Sequence, residues 1–214
     1  MNLPGATDRF AILGRTGSGK TQAGTWNLAN RNYHEIPWIV YNFKRDELLD
    51  AIPHAHHIEL NELPTSPGIY IVHPHPDDID DLSAQFRAVW ERGHIGLYID
   101  EGFIVGRQNR WFRTILTQGR SLRIPTIVLS QRPVYLDKFV LTESEYLQVF
   151  QLQHEDDIKS IRKVIRADMQ TLPDYHSYYF DVRRNELGRM APVPDADTIL
   201  GVFERRLRGR TRTL

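Results

Sequence analysis

The stretch that decides the fold of this chain is Gly14-Arg15-Thr16-Gly17-Ser18-Gly19-Lys20-Thr21. The apolar run Phe10-Ala11-Ile12-Leu13 before it predicts a buried strand, and residues 22–30 after it predict a helix. Because its glycines carry no Cβ, the backbone can turn tightly and approach an anion closely. The N–H groups of the loop and of the helix start then point at phosphate oxygens. Strand, glycine-rich loop and helix, in this order, are the context in which G-x-x-x-x-G-K-T predicts a nucleoside triphosphate site.

Each residue of the loop has an expected role. We expect Gly14, Arg15, Thr16, Gly17, Ser18 and Gly19 to surround the phosphates together with Lys20 and Thr21. Lys20 is predicted to neutralise charge on the β- and γ-phosphates during the reaction, and Thr21 to place its hydroxyl on Mg²⁺. The chain has no Asn-Lys-x-Asp sequence for a guanine base. ATP with Mg²⁺ is therefore the expected ligand.

Length and composition narrow the class of protein. The 214 residues suffice for one α/β domain with its own core, here taken as residues 1–214 with a basic tail from about residue 204. The 27 Lys and Arg residues balance the 27 Asp and Glu residues, so any contact with nucleic acid would depend on local patches. The chain lacks cysteine, which excludes thiol catalysis and cysteine-ligated zinc. No apolar run approaches the roughly 20 residues of a membrane span, so we expect a soluble, non-secreted protein.

Segments typical of strands and helices alternate along the chain. This alternation predicts an α/β fold, a mostly parallel sheet sandwiched by helices, as in RecA-like P-loop proteins. The predicted strands are residues 38–43, 57–60, 68–73, 95–99, 124–130 and 146–152, with a late hairpin at 178–183 and 188–191. The predicted helices after the first one are residues 77–92, 111–122, 158–165 and 198–207.

Two later strands are predicted to end in polar groups of the site. The first is Ile95-Gly96-Leu97-Tyr98-Ile99-Asp100-Glu101, about 80 residues after the loop. Its pattern is that of a Walker B element, in which Asp100 would hold Mg²⁺ and Glu101 would polarise the attacking water. The second, residues 124–130, ends at Gln131, whose amide would lie beside the γ-phosphate and sense it.

These elements together resemble the FtsK/HerA superfamily of P-loop ATPases over roughly residues 8 to 155. The segment Gln118-Gly119-Arg120-Ser121-Leu122-Arg123 before the second strand is similar to that superfamily's Gly-Arg helix end. Tyr41-Asn42-Phe43-Lys44 resembles its strand-two ending, with Asn42 in place of aspartate. In size and motifs the chain looks most like the genome-packaging ATPases of viruses with double-jelly-roll capsids, and also like zonular-occludens-toxin-like proteins of filamentous phages.

The resemblance implies a motor that hydrolyses ATP to move double-stranded DNA into a viral capsid. It further implies a ring, usually a hexamer, in the host cytoplasm or at the packaging vertex of the virion, where capsid or portal proteins would be partners. In such a ring a neighbouring subunit supplies an arginine to the transferred phosphoryl group. Arg120 is the first candidate for that arginine, with Arg123 and Arg132 as alternatives.

Two basic stretches are candidates for contacts with DNA. Arg107, Arg110 and Arg113 lie with Trp111 and Phe112 after the Walker B strand and would follow a phosphate backbone without reading its sequence. The C-terminal residues 204–214 carry five arginines in eleven positions.

Two other functions fit parts of the pattern. A DNA export or transfer ATPase of a filamentous phage or plasmid would read much the same through Gln131. A small-molecule or nucleotide kinase would have a suitable size, but it needs neither a strand that ends in Asp-Glu nor a later one that ends in Gln.

Overall fold

The computed structural model describes residues 4–75, 77–106, 109–166 and 170–208. Its strands are β1 (Phe10–Leu13), β2 (Pro37–Asn42), β3 (His56–His57), β4 (Gly68–Val72), β5 (Gly96–Asp100), β6 (Thr126–Ser130), β7 (Tyr146–Val149), β8 (Ser177–Asp181) and β9 (Glu186–Met190). Its helices are α1 (Lys20–Ala29), α2 (Glu47–Asp50), α3 (Ile79–Arg92), α4 (Arg110–Gln118), α5 (Lys138–Thr142), α6 (Glu155–Ile165) and α7 (Ala196–Arg208), with a 3₁₀ turn at Pro133–Tyr135.

The strands form one sheet in the order β3-β4-β2-β5-β6-β1-β7-β8-β9. All pairs from β3 through β7 are parallel, while β8 and β9 add an antiparallel hairpin at one edge. The predicted mostly parallel sheet and the late hairpin are therefore confirmed. In this order β1 lies between β6 and β7, so the loop that follows β1 emerges beside the ends of two other strands.

Both faces of the sheet are covered, which explains why its central strands are apolar throughout. Alternate residues of each strand point to opposite faces. Leu13 of β1 and Ile99 of β5 belong to one core with side chains of α3, α4 and α6, whereas Ile12 and Tyr98 belong to a second core with α1 and α7. The sheet is thus the middle layer of three, as the alternation of elements predicts.

Two short helices escape prediction from periodicity. Helices α2 and α5 have four and five residues, too few for a repeat of 3.6 residues to be visible. Each begins with an aspartate whose carboxylate accepts a backbone N–H two residues on, at 3.0 Å: Asp46 from Leu48 and Asp137 from Phe139. These capping aspartates are the signal that would have located them.

A buried ion pair joins the first strand to the seventh. Arg9 and Glu145, each just before its strand, have side chains 7% and 6% exposed, and Arg9 Nη2 lies 2.8 Å from Glu145 Oε1. The backbone N–H of Arg9 also donates to Glu145 Oε2 at 2.7 Å. This pair therefore fastens β7 beside β1, next to the phosphate loop. Within the described residues, no helix is long and apolar enough to cross a lipid bilayer.

Candidate active site

The glycine-rich loop is pinned between the ends of two neighbouring strands. The N–H of Gly14 donates to Ser130 O of β6 at 3.2 Å, and the N–H of Arg15 donates to Gln151 O beyond β7 at 2.9 Å. Gly14 has no room for a side chain, because an added Cβ would lie 2.6 Å from Phe150 Cβ. Gly19 has φ of +94° and is the residue before α1, a left-handed conformation that favours glycine. The loop thus has the tight path and the free helix start that a phosphate site needs.

Lys20 lies folded over the loop. It is 5% exposed, and its Nζ donates to Arg15 O at 3.1 Å. Burial lowers the pKa of Lys20 to about 8, against the opposing effect of the Glu101 carboxylate. Within the part of the chain that the structure describes, this buried ammonium forms no ion pair, so it is favourably placed to receive an anion, and bound phosphates would favour its charged form.

Asp100, at the end of β5, is a carboxylate that is buried among the described residues. It is fully buried, and neither of its oxygens has a hydrogen bond from the described residues. Burial raises its pKa to about 6, while the Lys44 ammonium acts in the opposite direction. An unsatisfied buried carboxylate is costly unless a cation or donor reaches it. A carboxylate oxygen is a ligand of the kind that a hard cation such as Mg²⁺ prefers.

The described residues contain no group of three or more His, Asp or Glu side chains arranged to hold a metal ion. Mg²⁺ bound here would thus depend on Asp100, the Thr21 hydroxyl and oxygens of the nucleotide. Such sparse ligation is usual for Mg²⁺, which keeps several waters and shares substrate phosphates. The two residues predicted for the metal therefore suffice chemically.

Glu101 is held in a defined position by neighbours from two other strands. Its carboxylate forms an ion pair with Lys44, which follows β2, and Gln131 Nε2 donates to its Oε1 at 2.7 Å. Glu101 is fully buried and has φ of +64°, a left-handed conformation that is uncommon outside glycine. Backbone in this region occurs often at functional sites, where surrounding contacts maintain it.

Gln131 connects Glu101 to the phosphate loop. Its Oε1 accepts a hydrogen bond from Thr16 Oγ1 at 2.6 Å, while its Nε2 contacts Glu101. A single side-chain amide thus spans from the loop to the predicted base. The predicted Lys20, Asp100, Glu101 and Gln131 all lie at the same edge of the sheet, as parallel strands require.

Lys44 is a site residue to which the sequence assigned no role. It lies two positions beyond Asn42, the last residue of β2, which pairs in register with Asp100. Adjacent parallel strands that end together place Lys44 beside Glu101. Asn42 itself takes a structural role: its Nδ2 donates to Asp46 O at 3.1 Å and to Asp50 Oδ1 at 2.9 Å. The resemblance at the end of the second strand pointed to Lys44 in the sequence. Only the order of the strands shows that its partner is Glu101.

The arginines proposed for the trans contact lie in different surroundings. Arg120 and Arg123 are exposed in the turn between α4 and β6, and the N–H of His94 donates to Leu122 O of this turn at 2.9 Å. The turn therefore lies at the end of the sheet where β5 and β6 begin, whereas the loop lies at the opposite end, where the parallel strands finish. Arg120 thus cannot reach the loop of its own chain.

Arg132, the remaining alternative, is engaged within the chain. Its Nε donates to Asp157 Oδ2 at 2.8 Å, and its guanidinium lies 4.7 Å from the centre of the Tyr135 ring. Asp157 is 1% exposed, so the contact is a partly buried ion pair. Arg132 therefore has a structural role that Arg120 does not share.

The basic stretch after β5 is partly committed to packing. Arg110 is exposed at the start of α4, whereas Arg113 forms an ion pair with Asp137 at 2.8 Å. Arg107 lies outside the described residues.

The C-terminal basic stretch begins inside a helix. The helix predicted at residues 198–207 corresponds to α7, which ends at Arg208, so the first residues of the basic tail expected from about residue 204 are helical. Arg206 packs on the fold: its Nη1 donates to Ala29 O at 2.5 Å and its guanidinium lies 5.1 Å from the Tyr33 ring centre. The helix continues because its apolar face, with Phe203 and Leu207, is buried in the core. Residues 209–214 of the tail lie outside the described residues.

The chain is similar to a known protein over almost its whole length. The DNA packaging ATPase P9 of Enterobacteria phage PRD1 is 40% identical over 218 residues, which cover 95% of this chain and 95% of that protein. No family model matches the sequence.

Solved structures are similar to the whole fold. The genome packaging NTPase B204 from Sulfolobus turreted icosahedral virus 2, in complex with AMPPCP, has a TM-score of 0.71 at 18% identity and covers 88% of this chain and 100% of its own. EssC (ATPases 2 and 3) from Geobacillus thermodenitrificans has a TM-score of 0.67 at 13% identity and covers 97% of this chain and 45% of its own. These likenesses confirm the predicted P-loop ATPase fold.

Proposed function

This chain belongs to the family of viral DNA-packaging ATPases, and we propose that it drives double-stranded DNA into a capsid by hydrolysing ATP with Glu101 as the general base. The observation that carries the assignment is the pair of adjacent buried carboxylates at the end of β5. Asp100 has no hydrogen-bond partner among the described residues, while Glu101 is held by Lys44 and Gln131. Two neighbouring carboxylates with such different surroundings suit two roles, one for a cation and one for a water.

The residues of the chain divide the work of hydrolysis. The backbone N–H groups of residues 14–21 bind the phosphates, and Lys20 neutralises charge on them. Thr21 and Asp100 would hold Mg²⁺, which would neutralise negative charge that develops on the phosphates during the reaction. Glu101 orients the water that attacks the γ-phosphorus and accepts its proton, so the products are ADP and phosphate.

Gln131 and Lys44 position the Glu101 carboxylate. Gln131 also accepts a hydrogen bond from Thr16 of the loop, so a change at the loop reaches the base through one side chain. This arrangement supports the role of Gln131 as the sensor of the γ-phosphate. Family membership favours packaging over DNA export and over phosphoryl transfer to a small acceptor.

The decisive experiment compares ATP hydrolysis by the wild type and by Glu101→Gln, with and without double-stranded DNA. We expect DNA to stimulate the wild type, and the variant to lose at least about 100-fold in kcat with little change in nucleotide affinity. Glu186→Gln is the matched control, because Glu186 is exposed on β9 and should leave hydrolysis unchanged. Unimpaired hydrolysis by Glu101→Gln, or transfer of phosphate to a small acceptor, would contradict the assignment.

The working unit of the proposed motor is a homo-oligomeric ring, with six subunits as the resemblance implies. The position of Arg120 supports a contact in trans: it is exposed and lies at the opposite edge of the sheet from its own loop. An exposed arginine at one edge can complete the site at the other edge of the next subunit. Such an arginine stabilises charge in the transition state and adds orders of magnitude to the rate.

Subunit mixing tests this contact. Arg120→Ala and Glu101→Gln are each expected to be inactive alone, and a mixture of the two should regain activity. An intact Arg120 on a Glu101→Gln subunit would then complete the intact site of an Arg120→Ala neighbour. Arg123→Ala, in the same exposed turn, tests the alternative candidate, and Arg87→Ala, an exposed arginine on α3, serves as the control. An active Arg120→Ala protein alone, or a mixture as inactive as its components, would contradict the trans role.

We propose Arg107, Arg110 and Arg113 as the residues through which the motor contacts DNA. The motor itself would act at the packaging vertex, with portal or capsid proteins as partners. Arg110 is the strongest of the three because it is exposed, whereas Arg113 already pairs with Asp137. Arg110→Ala should weaken DNA binding and reduce its dependence on salt by about one phosphate contact. An unchanged salt dependence would place the contact elsewhere.

A further inference from the structure

A cavity of about 180 Å³ lies against the start of α1, beside the phosphate loop. Its lining is mostly apolar, and the residues are Gly19, Gln22, Phe150, Tyr175, Pro192 and Val193. The volume corresponds to about six water molecules at roughly 30 Å³ each, more than a single ion occupies. Such a space suits a flat ring system with apolar faces. We call these six residues the base pocket.

The base pocket touches the loop where the loop becomes helix. A Cβ added to Gly19 would lie 3.2 Å from Tyr175 Cδ1 and 3.8 Å from Phe150 Cε1, so both rings approach the last loop glycine. Lys20 and Thr21, which contact phosphates in this motif, follow at once. A group attached to bound phosphates therefore has the base pocket within reach as it leaves the loop.

Two segments from the C-terminal part of the chain contribute side chains to the base pocket. Tyr175 precedes β8 and is 58% exposed, although its φ of +59° lies in the left-handed region. Pro192 and Val193 follow β9, and the Nε2 of Gln22 on α1 donates to the next carbonyl, Pro194 O, at 2.6 Å. An exposed aromatic ring on uncommon backbone, opposite a tethered apolar segment, is arranged for stacking rather than for packing in a core.

A second cavity, which is also lined by Phe150 and Tyr175, has a different chemistry. It measures about 120 Å³, and its lining includes Arg15, Asp174 and His176. A neutral aromatic base gains more from the apolar walls of the base pocket than from charged groups that it would desolvate. The two cavities therefore differ in the ligand group that each one suits.

We propose that the base pocket binds the adenine base of ATP by stacking on Tyr175, with Pro192 and Val193 against the opposite side. The proposal deepens the proposed function, since it relies on residues 14–21 to hold the triphosphate. Stacking of a base on an aromatic side chain supports an affinity change of about tenfold, equal to about 1.4 kcal/mol. The rings and the apolar segment of this purine subsite thus come from residues outside the motifs of the phosphate site, and only Gly19 is shared with the loop.

The test measures dissociation constants for two ligands, of which only the first carries the base and the sugar. The first is the β,γ-methylene analogue of ATP with Mg²⁺, and the second is inorganic tripolyphosphate with Mg²⁺. The variants are Tyr175→Ala and Tyr175→Phe, with Ile79→Ala as control because Ile79 is 59% exposed on α3, away from the loop. Circular dichroism confirms that each variant is folded.

We expect Tyr175→Ala to bind the ATP analogue about tenfold more weakly and tripolyphosphate as well as the wild type does. Tyr175→Phe, which keeps the ring, should bind both like the wild type, as should Ile79→Ala. The proposal is overturned if Tyr175→Ala binds the analogue within twofold of the wild type, or if it loses affinity for both ligands equally. Failure of the proposed function has a separate signature, since a wild type that binds neither ligand has no phosphate site at all.

Discussion

Replacement of Asp100 by asparagine tests whether the end of β5 is built to receive a cation. The carboxylate is fully buried, and neither oxygen accepts a hydrogen bond from the described residues. Burial raises its pKa from 3.8 to about 6, and the repulsion from Glu101 adds to this, while Lys44 opposes it. An ionised group in such a place weakens the fold when no cation is present. Asparagine should therefore remove, from the magnesium-free protein, a penalty that appears where the aspartate would be charged.

The sign and size of the effect of Asp100 on the free energy of unfolding follow from proton linkage. Below pH of about 4 the carboxyl group is protonated in both the folded and the unfolded chain, so it carries no penalty. Between about pH 4 and 6 the unfolded chain loses this proton first, so the free energy of unfolding falls as the pH rises. Above that window the loss is constant, and a pKa difference of about two corresponds to roughly 3 kcal/mol. The asparagine variant lacks this fall.

The assay is urea unfolding of both proteins in magnesium-free buffer from pH 4.5 to 8. The buried amide of Asp100→Asn adds an unsatisfied donor that costs about 1–3 kcal/mol, but this cost does not depend on pH. The diagnostic quantity is the free energy of unfolding of the variant minus that of the wild type. We expect this difference to increase by about 2 kcal/mol across the range. Added Mg²⁺ with nucleotide should then stabilise the wild type more than the variant, which keeps the phosphate loop but lacks the carboxylate for the cation.

Asp157→Asn is the matched control, because Asp157 is equally buried but accepts hydrogen bonds at 2.8 Å from Arg132 Nε and at 2.9 Å from the N–H of Val134. Loss of that paired carboxylate should destabilise the protein. A difference between Asp100→Asn and the wild type that stays flat from pH 4.5 to 8 would refute the reasoning.

Three further substitutions test the phosphate loop, the environment of the proposed general base Glu101, and the buried ion pair beside β1. Gly14→Ala places a Cβ 2.6 Å from Phe150 Cβ, so it should cost about 1–3 kcal/mol in urea unfolding and weaken binding of tripolyphosphate; unchanged values would mean that the loop relaxes freely. Lys44→Met removes the ion pair of Glu101, so kcat should fall at least about tenfold while nucleotide affinity stays within threefold; equal losses in both would indicate a general structural defect. Arg9→Met leaves its carboxylate partner buried and should lower the free energy of unfolding by about 3 kcal/mol, whereas a loss under 1 kcal/mol would contradict the buried pair.

Much of the fold and half of the site follow from local patterns. The loop at residues 14–21, the strand that ends at Asp100 and the strand that ends before Gln131 are each contiguous in sequence. Their backbone requirements are local: glycines for the turn, apolar runs for buried strands, polar residues where a strand ends. Because the carboxyl ends of parallel strands share one edge, the sequence also places these groups together in general terms.

The remaining parts depend on which strands become neighbours. Lys44 and Glu101 are 57 positions apart and meet only because β2 pairs with β5. The same strand order determines that Gln131 can bridge Glu101 and Thr16. No local pattern encodes strand order, since it results from how the crossover helices pack on the two faces.

The sequence by itself predicted the chemistry that we propose for this protein: a triphosphate loop, a carboxylate for a cation, a general base and a polar sensor, each written as a short motif at the end of a strand. The tertiary structure decided how these groups are held and completed. It ties Glu101 to Lys44 and brings Tyr175, more than 150 positions away, against Gly19 of the loop. Short motifs specify backbone geometry over a few residues, whereas such long-range contacts arise only when the strands pair and both faces of the sheet are covered.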